Sequence, residues 1–429
     1  MDIIRQTMWF EPLFRAKAGA LRHAVDTLCA HLSEHEVTSG RRKRARKEMD
    51  AKGFRLAVEA LACNLILLKA TGNDAKLAVP RSHSVIWNAK ANPVYGQHFL
   101  TAIDLMADLR LIEEDSRGYR VSAKSKMPSL ISAANALAGH LPLSPPDWRS
   151  VQQIDEQALV VLKDSKDEKG HATALAFDET ARSRQLAAEV RRINARLRAA
   201  DIEIIGTDSG LSLGTDGQII APYRRSLRRV FNNANWQHGG RLAGGFWMSM
   251  ERAERFERIR IDGERIADVD YRQLFPRLAY VRAGEKQPEG DIYDVAGDGT
   301  GRDGWKKLMN AMLFSVGPLK NWPDETRHHF PEGMKLRTAI DMLKWKHAPI
   351  ASLFGAGLGF QLMRIESDML IRVITHLYKA GVTALPLHDA VLVAESKTNV
   401  AAGAMQAAFH AGTNSSCAIV SVEYSPIKQ

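Results

Sequence analysis

Two short hairpin signatures in the C-terminal half, each carrying acidic residues, constrain this chain more than any other feature. In the first, Ile259 and Ile261 alternate with Arg258 and Arg260, Asp262 and Gly263 supply the turn, and Ile266, Ala267, Asp268, Val269 and Asp270 form the return strand. A period of two puts Asp268 and Asp270 on one face. In the second, Val382 to Leu387 is a strand, His388 and Asp389 are the turn, and Val391 to Val393 is the partner strand. A helix precedes it from Gln361 to Ala380, with Leu362, Ile365, Met369, Val373 and Leu377 on its buried stripe and Gly381 at its end. Val400 to His410 reads as a further helix and Ala418 to Tyr424 as a last strand. Helices and antiparallel hairpins in this order belong to the α+β class.

An acid at the end of a central strand and another at a hairpin tip are the parts of a two-metal phosphoryl-transfer site, if the fold brings the two strands together. Hard cations take oxygen ligands, and two Mg²⁺ ions about 4 Å apart need shared carboxylates. Asp270 and Asp389 are the candidates, with Asp268 as a reserve ligand. Glu366 and Asp368, on the polar side of the helix at 361–380, are more remote ones. The plain alternative is that Asp270 caps a strand end and Asp389 occupies a type I′ turn.

The 429 residues correspond to about three domains. Apolar residues at 45% and charged residues at 25% exclude a disordered chain. Lys plus Arg is 59 against 49 Asp plus Glu, and the net charge of +10 favours a polyanionic partner, nucleic acid first, although a solvated basic surface has the same composition. Cys29, Cys63 and Cys417 are far apart and include no CxxC pair, so neither a disulfide framework nor a cysteine zinc site is expected, and a reducing, cytoplasmic compartment is. The most apolar window, Leu56 to Leu68, is interrupted by Glu59 and Asn64, so no membrane span is expected.

Four segments are anticipated. Residues 1–71 form a helical basic region, in which Ser39 and Gly40 precede Arg41, Arg42, Lys43 and Arg44; this run suits phosphate contact or a solvated helix face. Residues 72–140 resemble a winged helix: a helical stripe of Phe99, Ile103, Met106 and Leu109, an apolar strand at Leu111 and Ile112, a turn at Arg117 and Gly118, and a strand at Tyr119 to Val121. Residues 141–224 are a helical connector or thumb-like region with a strand at Leu159 to Leu162, an Arg-rich helix at Glu179 to Ala199, and a hairpin or loop between Asp208 and Gly217 with turn residues Gly210, Gly214 and Asp216. Residues 225–429 carry the acidic hairpins.

The segment Asp270, Tyr271, Arg272, Gln273, Leu274, Phe275, Pro276, Arg277 resembles the first palm motif of A-family, bacterial polymerase I-like, DNA polymerases, which runs Asp, Tyr, Ser, Gln, aliphatic, Glu, aliphatic, Arg. Leu387, His388, Asp389, Ala390, Val391 resembles the third motif. Between them Asp291, Ile292, Tyr293, then Arg302, Lys306, Lys307, Asn310 and Phe314 fall where the family keeps its fingers helix. The resemblance spans roughly residues 225 to 412 and implies a right-hand palm with an antiparallel sheet and helical fingers. It further implies that Asp270 and Asp389 are catalytic metal ligands for two Mg²⁺ ions, or Mn²⁺ in their place, and that His388 lies by the primer terminus. Arg302, Lys306, Lys307, Asn310, Phe314, Phe275, Tyr271 and Gln273 become nucleotide-binding, with the choice between Lys306 and Lys307 open. Two departures stand out: Phe275 replaces the family's Glu, where a ring can exclude a 2′-hydroxyl by bulk, and Ala390 follows Asp389 where the family has Glu.

Upstream, Arg224, Arg225, Arg228, Arg229 and Arg241 cluster with Phe231, Trp236, Phe246 and Trp247, a mixture suited to nucleic-acid backbone contact and stacking. Gly239 and Gly240 suit a close approach to a phosphate. Alternatively the aromatics are core and the arginines pair with Glu251, Glu254 and Glu257. The leading expectation is a template-directed DNA polymerase, without a proofreading exonuclease, that extends primer–template DNA with deoxynucleoside triphosphates in replication or repair. Its rivals are a DNA-binding replication or regulatory protein with a non-catalytic palm, and a primase-like or RNA-synthesising enzyme on the same palm.

Overall fold

The computed structural model describes residues 7–72, 74–81, 92–116, 120–122, 125–126, 128–154, 158–167, 170, 172–206, 211–214, 217–415 and 418–425. It is a mixed α/β structure whose sheets are antiparallel or mixed. The chain forms two compact units, one made of Met1–Gln157, Glu203–Arg225 and Gly245–Arg258, the other of Ala158–Ile202, Ser226–Gly244 and Ile259–Gln429. These units cut across the four sequence segments: residues 1–71 and 72–140 share the first, and the Arg-rich helix joins the second.

In the first unit, helices Ala20–Thr38, Glu48–Ala70 and Gln97–Asp108 accompany a four-stranded sheet in the order Thr7–Trp9, Lys76–Val79, Ser129–Ala133, Ile112–Ser116. The first two strands are parallel and the others antiparallel. Helix Glu48–Ala70 is buried nearly all round, so its polar side chains need partners inside. Glu59 Oε1 accepts from Ala16 N at 3.0 Å, and Asn64 both accepts from Glu11 N and donates to Glu11 O at 2.9 Å. The two residues that interrupt the apolar run thus tie the N-terminal strands to this helix. Among the described residues no helix is long and apolar enough to cross a membrane.

The basic run differs from a helix face. Ser39 caps the first helix, Gly40 has φ 74°, and residues 41–47 are the connection to the next helix. Ser212–Leu213 pairs with Ile219–Ile220 as the expected hairpin, while Asp208, Gly210 and Asp216 lie outside the described residues, as do Arg117, Gly118, Tyr119 and Cys417.

The second unit holds two sheets. β1 (Val160–Lys163), β2 (Ala174–Leu175), β3 (Leu227–Asn232) and β4 (Asn235–Gly244) form a mixed sheet in the order β2-β1-β3-β4, packed by helix α1 (Ala181–Ala199). Thr180 starts α1 with a capping box: its Oγ1 accepts from Ser183 N at 3.1 Å, and Ser183 Oγ accepts from Thr180 N at 2.9 Å. The other sheet is antiparallel. β5 (Ile259–Ile261) and β6 (Glu264–Tyr271) are joined through Asp262 and Gly263, both at positive φ (53° and 78°) as a type I′ turn requires. Helices α2 (Leu274–Ala283), α3 (Arg302–Phe314), α4 (Leu336–Lys346) and α5 (Gly359–Lys379) follow, then hairpin strands β7 (Ala384–Leu387) and β8 (Ala390–Ala394), helix α6 (Thr398–Thr413) and β9 (Val420–Tyr424). β6 is central, paired with β8 and with β9.

The join between α1 and β3 rests on one buried amide. Asn194 Nδ2 donates to Leu227 O at 2.9 Å and its Oδ1 accepts from Leu227 N at 2.8 Å. Asn194→Leu keeps the branched outline of the side chain but strands both backbone groups, at about 1–3 kcal/mol for each unsatisfied group. We expect it to lower the urea midpoint of the full chain, followed by circular dichroism, by an amount equivalent to about 2–4 kcal/mol. An unchanged midpoint contradicts this account of the join.

Candidate active site

β6 alternates as the sequence pattern requires. Ala267, Val269 and Tyr271 are buried, and Tyr271 donates its hydroxyl to Met405 O of α6 at 2.6 Å. Asp268 and Asp270 therefore point to the opposite face. The register pairs Asp270 with Ala390 on β8 and with Ser421 on β9, so the β7–β8 turn brings Asp389 next to Asp270. The turn is two residues long, and of the pair only His388 has positive φ (59°), which fits a type II′ turn rather than the type I′ turn of the plain alternative.

Asp270 and Asp389 lie on the wall of a cleft of about 390 Å³, facing Arg302, Lys306 and Asn310 of α3. Their spacing of four puts these three on one helix face. The carboxyl of Asp270 is pushed up to about 8, first by burial, then by the charges of Asp389 and Asp268, with Lys306 pulling the other way. Arg241, from β4, enters the same cleft and grips Glu366 of α5 with two bonds of 2.7 Å. Burial raises the Glu366 carboxyl to about 7 against the pull of Arg241.

The cleft also has a positioning layer. Gln273 sits at φ 58° ahead of α2, donates to Asp291 Oδ1 at 2.8 Å, and accepts from Arg277 Nη2 at 3.0 Å and Ile292 N at 3.2 Å. Asp291 also receives Arg302 Nε, and the Arg302 guanidinium lies 5.5 Å from the Tyr293 ring centre. Burial raises the Tyr293 hydroxyl, and Asp389 adds to it. Phe275 stands between Arg241, whose guanidinium is 5.6 Å from its ring, and Phe314, centroid to centroid 5.6 Å.

The structure sorts the sequence candidates. Lys306 lines the cleft, whereas Lys307 turns away to Glu325, donating to its carbonyl at 2.9 Å. Phe314 lies behind Phe275, packed on Phe360 at 5.2 Å. His388 is exposed at the hairpin tip and does not line the cleft, and the hydroxyl of Tyr271 is spent on α6. Arg229 departs from the expected nucleic-acid contact: it is 1% exposed, donates to Gly240 O at 2.8 Å, and pairs with Glu189 and Asp368. Arg228 next to it is exposed. Phe231, Phe246 and Trp247 are core. Of the run in the first unit, Arg41 pairs with Asp108 and Arg42 with Asp50 and Glu36, while Lys43 and Arg44 are exposed.

Gly239 and Gly240 serve a different close approach from the one expected. Both have φ near 80°, and a Cβ at Gly240 would meet the Phe231 ring at 2.9 Å and Arg364 Nη1 at 3.1 Å. Gly239 makes room for Asn232 of β3, and Gly240 lets β4 lie against α5, which covers the side of that helix read as solvent-facing: Arg364, Glu366 and Ser367 are buried. Asp368 is committed to Arg229 and Arg364. Ser421 and Glu423 of β9 also line the cleft and were not anticipated, because only the register of β9 against β6 sets Glu423 opposite Asp268. The alternation of Val420 to Tyr424 was the available signal.

The donor set suits hard divalent cations. Among the described residues no group of three or more His, Cys, Asp and Glu side chains is placed to hold an ion by itself. Asp270 Oδ1, however, is buried and has no hydrogen-bond partner. Mg²⁺ is commonly held by one or two carboxylates together with waters and substrate phosphates, which is what Asp270 and Asp389 in a basic cleft offer.

No protein-family model and no curated protein sequence matches this chain.

A carboxyl held far above its unfolded value costs stability once ionised. The folded chain keeps a proton on Asp270 that the unfolded chain releases, so stability falls as pH rises from the usual carboxylate range to about 8. Asp270→Asn removes that cost. In chelator, its melting temperature is expected to exceed that of the parent chain by a margin that widens from pH 5 to pH 8 and then levels. A constant or negative margin refutes the electrostatic reading of the cleft.

Proposed function

We propose that this chain is a nucleotidyltransferase, a template-directed DNA polymerase of the A-family type that extends a primer 3′ end. The observation that carries the reading is the meeting of Asp270 and Asp389, from distant hairpins, in one cleft that the Arg302, Lys306, Asn310 face of α3 also lines. Acids on a palm-like antiparallel sheet facing cations on a helix support phosphoryl transfer to a polyanionic substrate. The net charge of +10 supports the same class of partner. In the first unit, the order of helix Gln97–Asp108, strand Ile112–Ser116 and strand Ser129–Ala133 supports a winged-helix-like reading.

In this reading Asp270 and Asp389 hold the Mg²⁺ pair, whose chemistry is to activate the primer hydroxyl and neutralise the charge on the departing pyrophosphate. Lys306 and Arg302 bind the triphosphate, Arg302 being oriented by Asp291. Gln273 braces Asp291, so it acts by positioning rather than by touching the nucleotide. Phe275, backed by Phe314, presents a ring in the cleft that excludes a ribose 2′-hydroxyl by bulk.

Primer extension with a labelled primer–template, Mg²⁺ and the four deoxynucleotides tests the reading. Asp270→Asn and Asp389→Asn are each expected to slow single-turnover incorporation on the order of 10³-fold, about 4 kcal/mol of transition-state stabilisation, while DNA binding persists. No extension by the folded parent chain with deoxy- or ribonucleotides, in Mg²⁺ or Mn²⁺, sinks the proposal and favours a DNA-binding scaffold. The two lysines separate cleanly: Lys306→Ala should raise the deoxynucleotide KM roughly 10- to 100-fold and Lys307→Ala should leave it unchanged, since a charge-assisted bond contributes about 1.5–3 kcal/mol. Phe275→Ala should admit ribonucleotides; an unchanged sugar preference removes Phe275 as the gate.

A further inference from the structure

The Arg-rich helix α1 does not line the cleft, yet its outer face carries a one-sided positive charge. Leu186, Val190, Ile193 and Leu197 are buried, and Arg182, Arg184, Arg191, Arg192, Arg196 and Arg198 are exposed. Its one acid, Glu189, is engaged by Arg229 at 3.3 Å and by Gln185 at 3.3 Å. Arg184, Arg191, Arg192 and Arg196 make no ion pair among the described residues. Arg192 and Arg196, four apart, share a cleft of about 440 Å³ with Lys379 at the end of α5, its remaining lining being Ile193, Thr375, Tyr378 and Glu189, the acid that Arg229 and Gln185 engage.

Like charges at this spacing repel one another and do not stabilise a helix. Their fields add, however, toward a polyanion. The chemistry of the surface specifies which one. Guanidinium groups suit phosphate oxygens. Proteins that hold single strands interleave cations with exposed aromatic platforms, and this face has none: Tyr378 is turned inward, donating to Ala384 O at 2.9 Å. α1 is about 28 Å long at 1.5 Å per residue, the span of roughly eight base pairs. Along α5, Lys379 lies about 20 Å, or some six base-pair steps, from Glu366, the partner of the cleft residue Arg241.

We propose that the α1–α5 surface, centred on Arg192, Arg196 and Lys379, is a second nucleic-acid site that holds the sugar–phosphate backbone of duplex DNA without reading its sequence. The identity of that duplex as the product leaving the cleft rests on the polymerase reading; the binding itself does not.

The test is the salt dependence of binding of a blunt 20-base-pair DNA duplex to the full chain, measured by fluorescence anisotropy without nucleotide or divalent metal. In the triple variant Arg192→Gln, Arg196→Gln, Lys379→Gln, the slope of log K against log salt should fall by about 2 to 3, since each released phosphate contact contributes about 0.9. The affinity near 0.15 M salt should fall at least about 10-fold. Arg192→Lys with Arg196→Lys should retain the slope, and unchanged thermal unfolding of the glutamine triple shows that the fold is intact. Lys335→Gln, Arg337→Gln, Lys344→Gln, an equal loss of charge around α4, should retain the slope too. An unchanged slope in the first triple overturns the proposal and leaves an acidic protein as the partner of this face; an equal loss in the α4 triple overturns it as an effect of net charge alone. Because these outcomes are read without turnover, absence of primer extension in the parent chain would count against the polymerase reading only.

Discussion

The antiparallel register between β6 and β8 is the constraint on which the rest of this unit depends. It sets Asp270 opposite Ala390 and so brings Asp389 beside it. Two carboxylates brought together in a partly buried cleft repel, and the raised Asp270 carboxyl shows how unfavourable the arrangement is in the bare protein. Structures tolerate such a cost where the surroundings fix it in place, and functional sites are where it accumulates. Here a one-residue slip would send Asp270 into the layer of Tyr271 and Phe409. The buried Val269 and Tyr271 and the bond from Tyr271 to Met405 O hold the strand against that slip.

Helix α5 is the second fixed element, and three consecutive side chains explain why. Glu366 grips Arg241, Ser367 donates to Gly240 O, and Asp368 pairs with Arg229. Ion pairs with one partner buried add little net stability over apolar packing, but they penalise any other register of β4 against the helix, because a displacement would leave Glu366 or Arg229 unpaired inside. Gly240, where a Cβ would meet Arg364 Nη1 at 3.1 Å, makes that register possible. The cleft cation Arg241 is thereby placed by an acid outside the cleft and not by Asp270 or Asp389.

Much of this was legible beforehand, and the failures have physical causes. The hairpin at Asp262 and Gly263, the strand alternation through Asp270, the helix ended by Gly381 and the hairpin at His388 and Asp389 follow from local turn chemistry and periodicity, which act over a few residues. Which lysine faces the cleft was not readable, since Lys306 and Lys307 differ only in helix phase, and phase is set by what Leu308, Met309 and Met312 pack against. Arg229 misled for a similar reason: a run of arginines looks uniform in sequence, but alternation along β3 exposes Arg228 and buries Arg229. Phe231 went to the core because β3 and β4 form a sheet with a covered face, a nonlocal fact, whereas Phe246 and Trp247 lie beyond β4 and are buried in the first unit. Glu423 became visible only through the pairing of the last strand with β6.

A phenylalanine at position 275 fits this electrostatic economy. A carboxylate there would be another anion in a cleft that already holds Asp270 and Asp389, and it would draw Arg241 away from Glu366, leaving a 1%-exposed acid unpaired. A phenyl ring makes neither demand. It packs on Phe314 and offers its face to Arg241, an attraction that does not compete with the Glu366 bonds. In the proposed function, sugar selection at this place then depends on shape, and shape depends on Phe314 and Phe360 behind the ring. The gate is thus only as rigid as the aromatic stack that joins α2, α3 and α5, which makes the packing of these three helices part of the substrate specificity.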